Sequence, residues 1–251
     1  MVPSFDQPRR RPPPGFGRWV VVCVVVGAIA TIVVVPKALA HRKVLAIGDS
    51  LTAQSTPALV ADLRAKGFDP QVHAISGSGL LDTKVNWATE VTSSVRSFDP
   101  DIVVVEFIGD YGLFGTRPGV AFRSPQFYEE WVVAAQELEQ ILTSRGAQVY
   151  WVTGPPVAQA AGEQQVQEID HIYEALRASN TASGRPLTID EVTPFSAPGG
   201  GYTEFLPGPG GNPVQVRAPD GTHFTQAGTE RFAGVIADAI TVGPARSAWR
   251  F

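Results

Sequence analysis

The sequence predicts an α/β fold for residues 43 to 241, a three-layer α/β/α sandwich around a parallel sheet of about five strands. Three observations predict it. Short apolar runs alternate with longer amphipathic stretches along most of the chain, the pattern of strands connected by crossover helices. Ile102-Val103-Val104-Val105 is a continuous β-branched run, which a central parallel strand covered on both faces requires. Val44 to Ile47 is a second apolar run, and Gly48 breaks it where the backbone has to turn sharply.

Taken in order, Lys43 to Gly48 reads as the first strand. A helix from Thr56 to Lys66 follows, with Ala58, Leu59 and Leu63 apolar and Gly67 as its stop. Gln71 to Ile75 reads as the second strand, ended by Ser76-Gly77-Ser78-Gly79. A polar helix over Asp82 to Ser97 leads into the third strand at Ile102. Gln126 to Ser144 is amphipathic, with Trp131, Val132, Ala135, Leu138 and Leu142 sharing a face. Gln148 to Val152 is the fourth strand, Gly154-Pro155-Pro156 a turn, Gln165 to Ser179 a helix and Leu187 to Ile189 a short fifth strand. Ser196 to Pro219 is a long loop rich in Gly and Pro. Thr225 is placed to cap the last helix, whose Phe232, Val235, Ile236 and Ala239 face the sheet.

Residues 1 to 18, with Pro-Arg-Arg-Arg-Pro-Pro-Pro, cannot bury apolar surface and read as a disordered cytoplasmic tail. The segment 19 to 40 is a transmembrane anchor or a signal peptide. Trp19 to Val35 is uncharged over 17 positions, roughly 25 Å of helix, and extension to Ala40 reaches the bilayer thickness. Ala38-Leu39-Ala40 has the form of a signal-peptidase site, but the apolar run exceeds an ordinary signal core, so the anchor is the preferred reading. Arg9, Arg10, Arg11 and Arg18 before the run orient the following domain outward in either case. Residues 242 to 251 form a C-terminal tail.

The single cysteine, Cys23, lies inside the apolar run, so the exported domain carries no disulfide and no cysteine cluster for a metal. From residue 43 onward there are 14 basic and 23 acidic residues, a net charge of −9, which argues against nucleic acid as a partner.

The chemistry concentrates at two motifs. Gly48-Asp49-Ser50-Leu51 places a serine hydroxyl at the C-terminal edge of a parallel sheet, where open α/β folds form their ligand crevice. Serine needs a base to take its proton, and that base needs a carboxylate to orient it. Asp220-Gly221-Thr222-His223 supplies both three residues apart. His73 reads as a strand residue and His171 as a solvated helix residue. The glycines at 77 and 79 allow a backbone N–H to approach a ligand. Glu106, at the end of the most apolar strand, must be hydrogen-bonded or shift its pKa.

Gly-Asp-Ser-Leu at 48 to 51, a glycine after the second strand and Asp-x-x-His before the last helix resemble the SGNH (GDSL) hydrolase superfamily. The resemblance covers about residues 43 to 241 and implies a flavodoxin-like SGNH hydrolase fold with no cofactor or metal. It implies Ser50 as nucleophile and first oxyanion donor, His223 as base and Asp220 as its orienting acid. It puts the second oxyanion donor at Gly77, with Gly79 as the alternative. The chain departs from the pattern at Ile108-Gly109-Asp110, where Asp110 falls on the asparagine that donates to the oxyanion. Tyr111, Phe114, Tyr202 and Phe205, in loops at the same sheet edge, are expected to contact substrate. The function expected is that of an extracytoplasmic serine esterase or acyltransferase acting on a small-molecule or envelope acyl ester. The rival is an SGNH-fold envelope binding module of weak or no activity.

Overall fold

The structure, a computed structural model, describes residues 41–109, 115–179 and 187–240. The tail 1–18, the expected membrane or signal segment 19–40 and the C-terminal tail 242–251 lie outside the described residues. Among those described, no helix is long and apolar enough to cross a membrane.

The main sheet is parallel and runs β2-β1-β3-β4-β5, formed by β1 (Arg42–Gly48), β2 (Phe68–Ala74), β3 (Ile102–Glu106), β4 (Gln148–Val152) and β5 (Leu187–Ile189). The expected five-stranded α/β fold is therefore what the chain adopts. Period two decides the two faces. Leu45, Ile47, Val103, Val105, Val149 and Trp151 point to one core, covered by α2 (Trp87–Phe98), α3 (Pro125–Thr143) and α4 (Ala160–Ser179). Val44, Ala46, Val104, Tyr150 and Val152 point to the other, covered by α1 (Ser50–Ala65) and α5 (Gln226–Ala239).

Several boundaries differ from the sequence expectation. The first helix begins at Ser50 rather than Thr56, because the Asp49 side chain caps it by accepting from the Leu51 N–H at 3.0 Å. Pro57, next to the expected start at Thr56, sits inside that helix. The second helix begins at Trp87, where Asn86 accepts from the Thr89 N–H, while Asp82 instead holds a turn by accepting from Lys84 N–H. The second strand starts at Phe68 rather than Gln71, since pairing with β1 includes Pro70 and the two residues before it. The 196–219 loop contains a small antiparallel hairpin, β6 (Phe205–Pro207) and β7 (Pro213–Gln215). Thr225 caps the last helix as expected, accepting from Gly228 N–H.

Sheet order positions the site. β1 continues outward to β2 on one side, while β3 lies on its other side, so the crossover direction reverses between β1 and β3. A crevice opens at the carboxyl ends of strands at such a switch point. Ser50 is the second residue beyond β1 there.

Candidate active site

Three segments converge on Ser50. The Asp49 cap ends β1 and starts α1 at once, so the serine occupies the first helical position with its side chain only half-buried. His223 Nε2 lies 3.0 Å from Ser50 Oγ, and His223 Nδ1 lies 2.7 Å from Asp220 Oδ2. An ionised carboxylate can only accept, so the Nδ1 proton is donated to Asp220 and Nε2 is left to accept from the serine hydroxyl. The other Asp220 oxygen accepts from the Thr222 and His223 backbone N–H groups, each at 2.9 Å. Burial alone would raise the Asp220 carboxyl, but these bonds from Thr222 and His223 outweigh it and hold it below the ordinary carboxylate range.

The loop carrying Asp220 and His223 is held from beneath by Arg217, a residue the sequence analysis did not single out. Its side chain is completely buried. One guanidinium nitrogen donates to the Thr222 carbonyl at 2.7 Å and another to the Pro156 carbonyl at 2.6 Å. The guanidinium also lies over the rings of Phe195 and Phe224, at 5.1 and 4.7 Å. Gly221 takes φ 73°, and a Cβ there would overlap Ala158, whose N–H donates to the Gly221 carbonyl. No local pattern marks such an arginine, because its partners are backbone carbonyls distant in sequence.

Two carboxyls lie below the serine. Asp49 accepts from Leu51 N–H on one oxygen and from Ile108 N–H, at 3.1 Å, on the other. Glu106 accepts from the Thr52 N–H at 3.2 Å and the Thr52 hydroxyl at 2.7 Å. Burial pushes Asp49 up to about 6, against the opposing backbone hydrogen bonds. Burial, with the Asp49 charge second, pushes Glu106 well above the carboxylate range.

Gly77 sits in a turn after β2, with φ 76°, closed by Ser78 N–H donating to the Ile75 carbonyl. Ile75 N–H donates to the Gly48 carbonyl, which joins this turn to the end of β1. The N–H groups of Ser50 and Gly77 make no hydrogen bond among the described residues. Gly79, the alternative, is buried. Asp110, Tyr111 and Phe114 lie outside the described residues. Gly109, just before them, has φ 123° and packs on the Gln165 amide, which donates to the Ile108 carbonyl and accepts from Arg123.

Tyr202 lies half-buried with its hydroxyl close to Gly221 in the Asp220 loop. Phe205 is 50% exposed on β6. The structure keeps the other histidines out of the Ser50 constellation. His73 meets Ser94 and Glu90 on α2, and His171 lies on α4 beside a cavity of about 350 Å³ that Asp170, Glu163, Glu174 and Asp190 also line.

The fold is shared with solved proteins. A GDSL-like lipase from Bacteroides thetaiotaomicron superposes with a TM-score of 0.56 at 14% identity, covering 79% of this chain and 87% of its own. A carbohydrate esterase of family 3 from Talaromyces cellulolyticus gives 0.57 at 15%, covering 80% of this chain and 96% of its own. The periplasmic domain of a lipopolysaccharide acetyltransferase from Salmonella Paratyphi A gives 0.52 at 14%, covering 80% and 84%. The fold is therefore that of the SGNH (GDSL) hydrolases. Residues 43–239 match the model of the family described as "Protein of unknown function (DUF459)", and the chain belongs to that family. No curated protein matches the sequence.

Proposed function

We propose that the protein is a serine esterase or acyltransferase that works outside the cytoplasm through an acyl-enzyme at Ser50. The observation that carries this reading is the unbroken relay from Ser50 Oγ through His223 to Asp220, with links of 3.0 and 2.7 Å at the sheet's switch point. Nε2 takes the hydroxyl proton as Oγ attacks an ester carbonyl, and Asp220 stabilises the imidazolium that results. The same proton then goes to the departing alcohol as the tetrahedral intermediate collapses to the acyl-enzyme. Water, or an acceptor hydroxyl in the transferase case, next gives its proton to His223 as it attacks the acyl carbon, and His223 returns that proton to Ser50 Oγ as the acyl group leaves.

The intermediate's oxygen needs donors aimed at it before the reaction begins. Ser50 N–H, at the positive end of α1, and Gly77 N–H are the proposed pair. Asp110 is the proposed third member by its place in the sequence, and as a carboxylate it would repel the oxyanion unless protonated. Tyr111, Phe114, Tyr202 and Phe205 are the proposed substrate contacts, with Tyr202 supported by its place against the Asp220 loop. The uncharged run from Trp19 to Val35 supports export and anchoring, and the periplasmic acetyltransferase domain among the similar folds agrees with export.

Labelling with a fluorophosphonate probe, alongside hydrolysis of short p-nitrophenyl esters, tests the reading. Wild type should be labelled and active and Ser50→Ala neither. Asp110 favours the second reading, a binding module that kept the fold, and absence of label on a folded wild-type chain would select it.

A further inference from the structure

We propose that Glu106 is a positioning residue of this site, holding one proton in common with Asp49 so that the two carboxyls lock the ends of β1 and β3 to the start of α1. This rests on the Ser50 reading above. The bonds are crossed between elements. Asp49, beyond β1, accepts from Ile108 beyond β3, while Glu106, on β3, accepts twice from Thr52 on α1. The Asp49 N–H also donates to the Glu106 carbonyl at 3.3 Å, and Gly48 and Glu106 pair across the strands. Every group held in this way, Leu51, Thr52 and Ile108, flanks Ser50 or the loop carrying Gly109.

The proton follows from polar bookkeeping. Glu106 is fully buried and Asp49 is 2% exposed. Each carboxyl acts directly on the ionisation of the other, and two ionised carboxylates are both acceptors and cannot bond. Glu106 Oε1 is shielded from solvent and finds no donor among the described residues. Asp49 already receives an N–H on each oxygen, which favours its ionised form, whereas Glu106 has an oxygen to spare. A proton on Glu106 gives the pair one donor and one acceptor and satisfies the orphan atom. Like charges sharing a buried site behave as one coupled unit.

Among the described residues, the ionisable groups facing the pair supply no positive charge in contact with it. Tyr173 on α4 donates its hydroxyl to the Phe107 carbonyl. Glu191, after β5, is itself buried and acidic. His223 lowers Asp49 by its charge when protonated, and Arg217 acts on Glu191. Removal of the shared proton would therefore leave two adjacent buried charges directly below Ser50.

Infrared difference spectra of the full-length chain against Glu106→Gln at neutral pH read the proton itself. The expected result is that the difference spectrum shows the loss of one protonated-carboxyl carbonyl band from the variant; a difference spectrum without that loss overturns the proposal. The rate of fluorophosphonate labelling of Ser50 reads the positioning. Glu106→Leu should label about 10²-fold more slowly, the size of effect a displacement of about 1 Å produces, and equal rates would overturn the proposal. Glu106→Gln, which keeps a donor and an acceptor, should recover most of that loss. Wild type should lose rate at high pH as the last proton leaves, and Glu106→Gln should lack that fall. Should Glu106→Leu fail to fold, the Gln variant's band and pH profile decide alone. A wild type that takes no label at any pH refutes the serine reading instead, and the infrared band then decides separately whether the pair holds its proton.

Discussion

Ser50 Oγ and His223 Nε2 lie 3.0 Å apart although 173 residues separate them in the chain. A hydrogen bond of that length aligns the hydroxyl for proton transfer without movement of either loop.

That alignment makes the first prediction. His223→Ala should lower kcat/KM for short esters by several orders of magnitude, as should Ser50→Ala, with Asp220→Ala costing less because triad members act as a unit. The double variant Ser50→Ala/His223→Ala should be little worse than either single one. Additive losses in steady-state kinetics would separate the two residues mechanistically.

Arg217 bears on both stability and rate. Replacing it with Met removes two charge-assisted bonds to the Thr222 and Pro156 carbonyls, each worth about 1.5 to 3 kcal/mol. Because the substitution also removes the cost of burying the charge, denaturant unfolding should show a net loss of about 2 to 4 kcal/mol, and kcat should fall in the fraction that remains folded. An unchanged kcat would mean that the Asp220 loop keeps its shape without the arginine.

Asp170 gives a pH dependence. Burial pushes its carboxyl up to about 8, with the Gly154 N–H opposing and the charges of Glu174, Glu163 and Asp190 adding. Because the folded value lies above the unfolded one, the group's contribution is intact at low pH and is lost as pH rises toward 8. In that window the folded state binds the extra proton, so stability falls by about 1.4 kcal/mol per pH unit from this residue. Asp170→Asn keeps an acceptor for Gly154 and should unfold at higher denaturant than wild type, by a margin that grows from about pH 5 to about pH 8. A constant margin would show that the carboxyl does not titrate there.

At Asp110 the prediction rests on sequence position. Replacing an ionised carboxylate with asparagine removes repulsion and adds a donor, so Asp110→Asn should raise kcat/KM, by up to about 10². If the wild-type carboxyl works protonated, the variant should instead lose the high-pH limb of the rate profile. No change in rate or profile would leave Ser50 with Gly77 or Gly79 as the donors.

The N-terminal segment is checked by membrane fractionation with N-terminal sequencing. An anchored chain retains residues 19 to 40 and sediments with membranes. A soluble chain beginning at His41 would mean cleavage after Ala40.

What could be read from the sequence alone is what depends on neighbours within a few residues. The central strands β1, β3 and β4 announce themselves by apolar runs, because a strand buried on both faces has no polar position to alternate with. Thr225 shows as a cap because its partner is three residues away, and Asp220 and His223 show as a pair because one turn spans them. The starts of α1 and α2 differ from the sequence expectation at Thr56 and Asp82 because Asp49 and Asn86 cap them. Only the tertiary structure decided the rest. Which strand lies beside β1 determines that Glu106 meets Asp49 and Thr52, and no spacing encodes that adjacency. Arg217 finds its partners in the Pro156 turn and between two phenylalanines 29 residues apart, Phe195 and Phe224. Such contacts exist only after the sheet has closed the chain, since burial makes the charge costly and the folded backbone alone supplies the carbonyls that satisfy it.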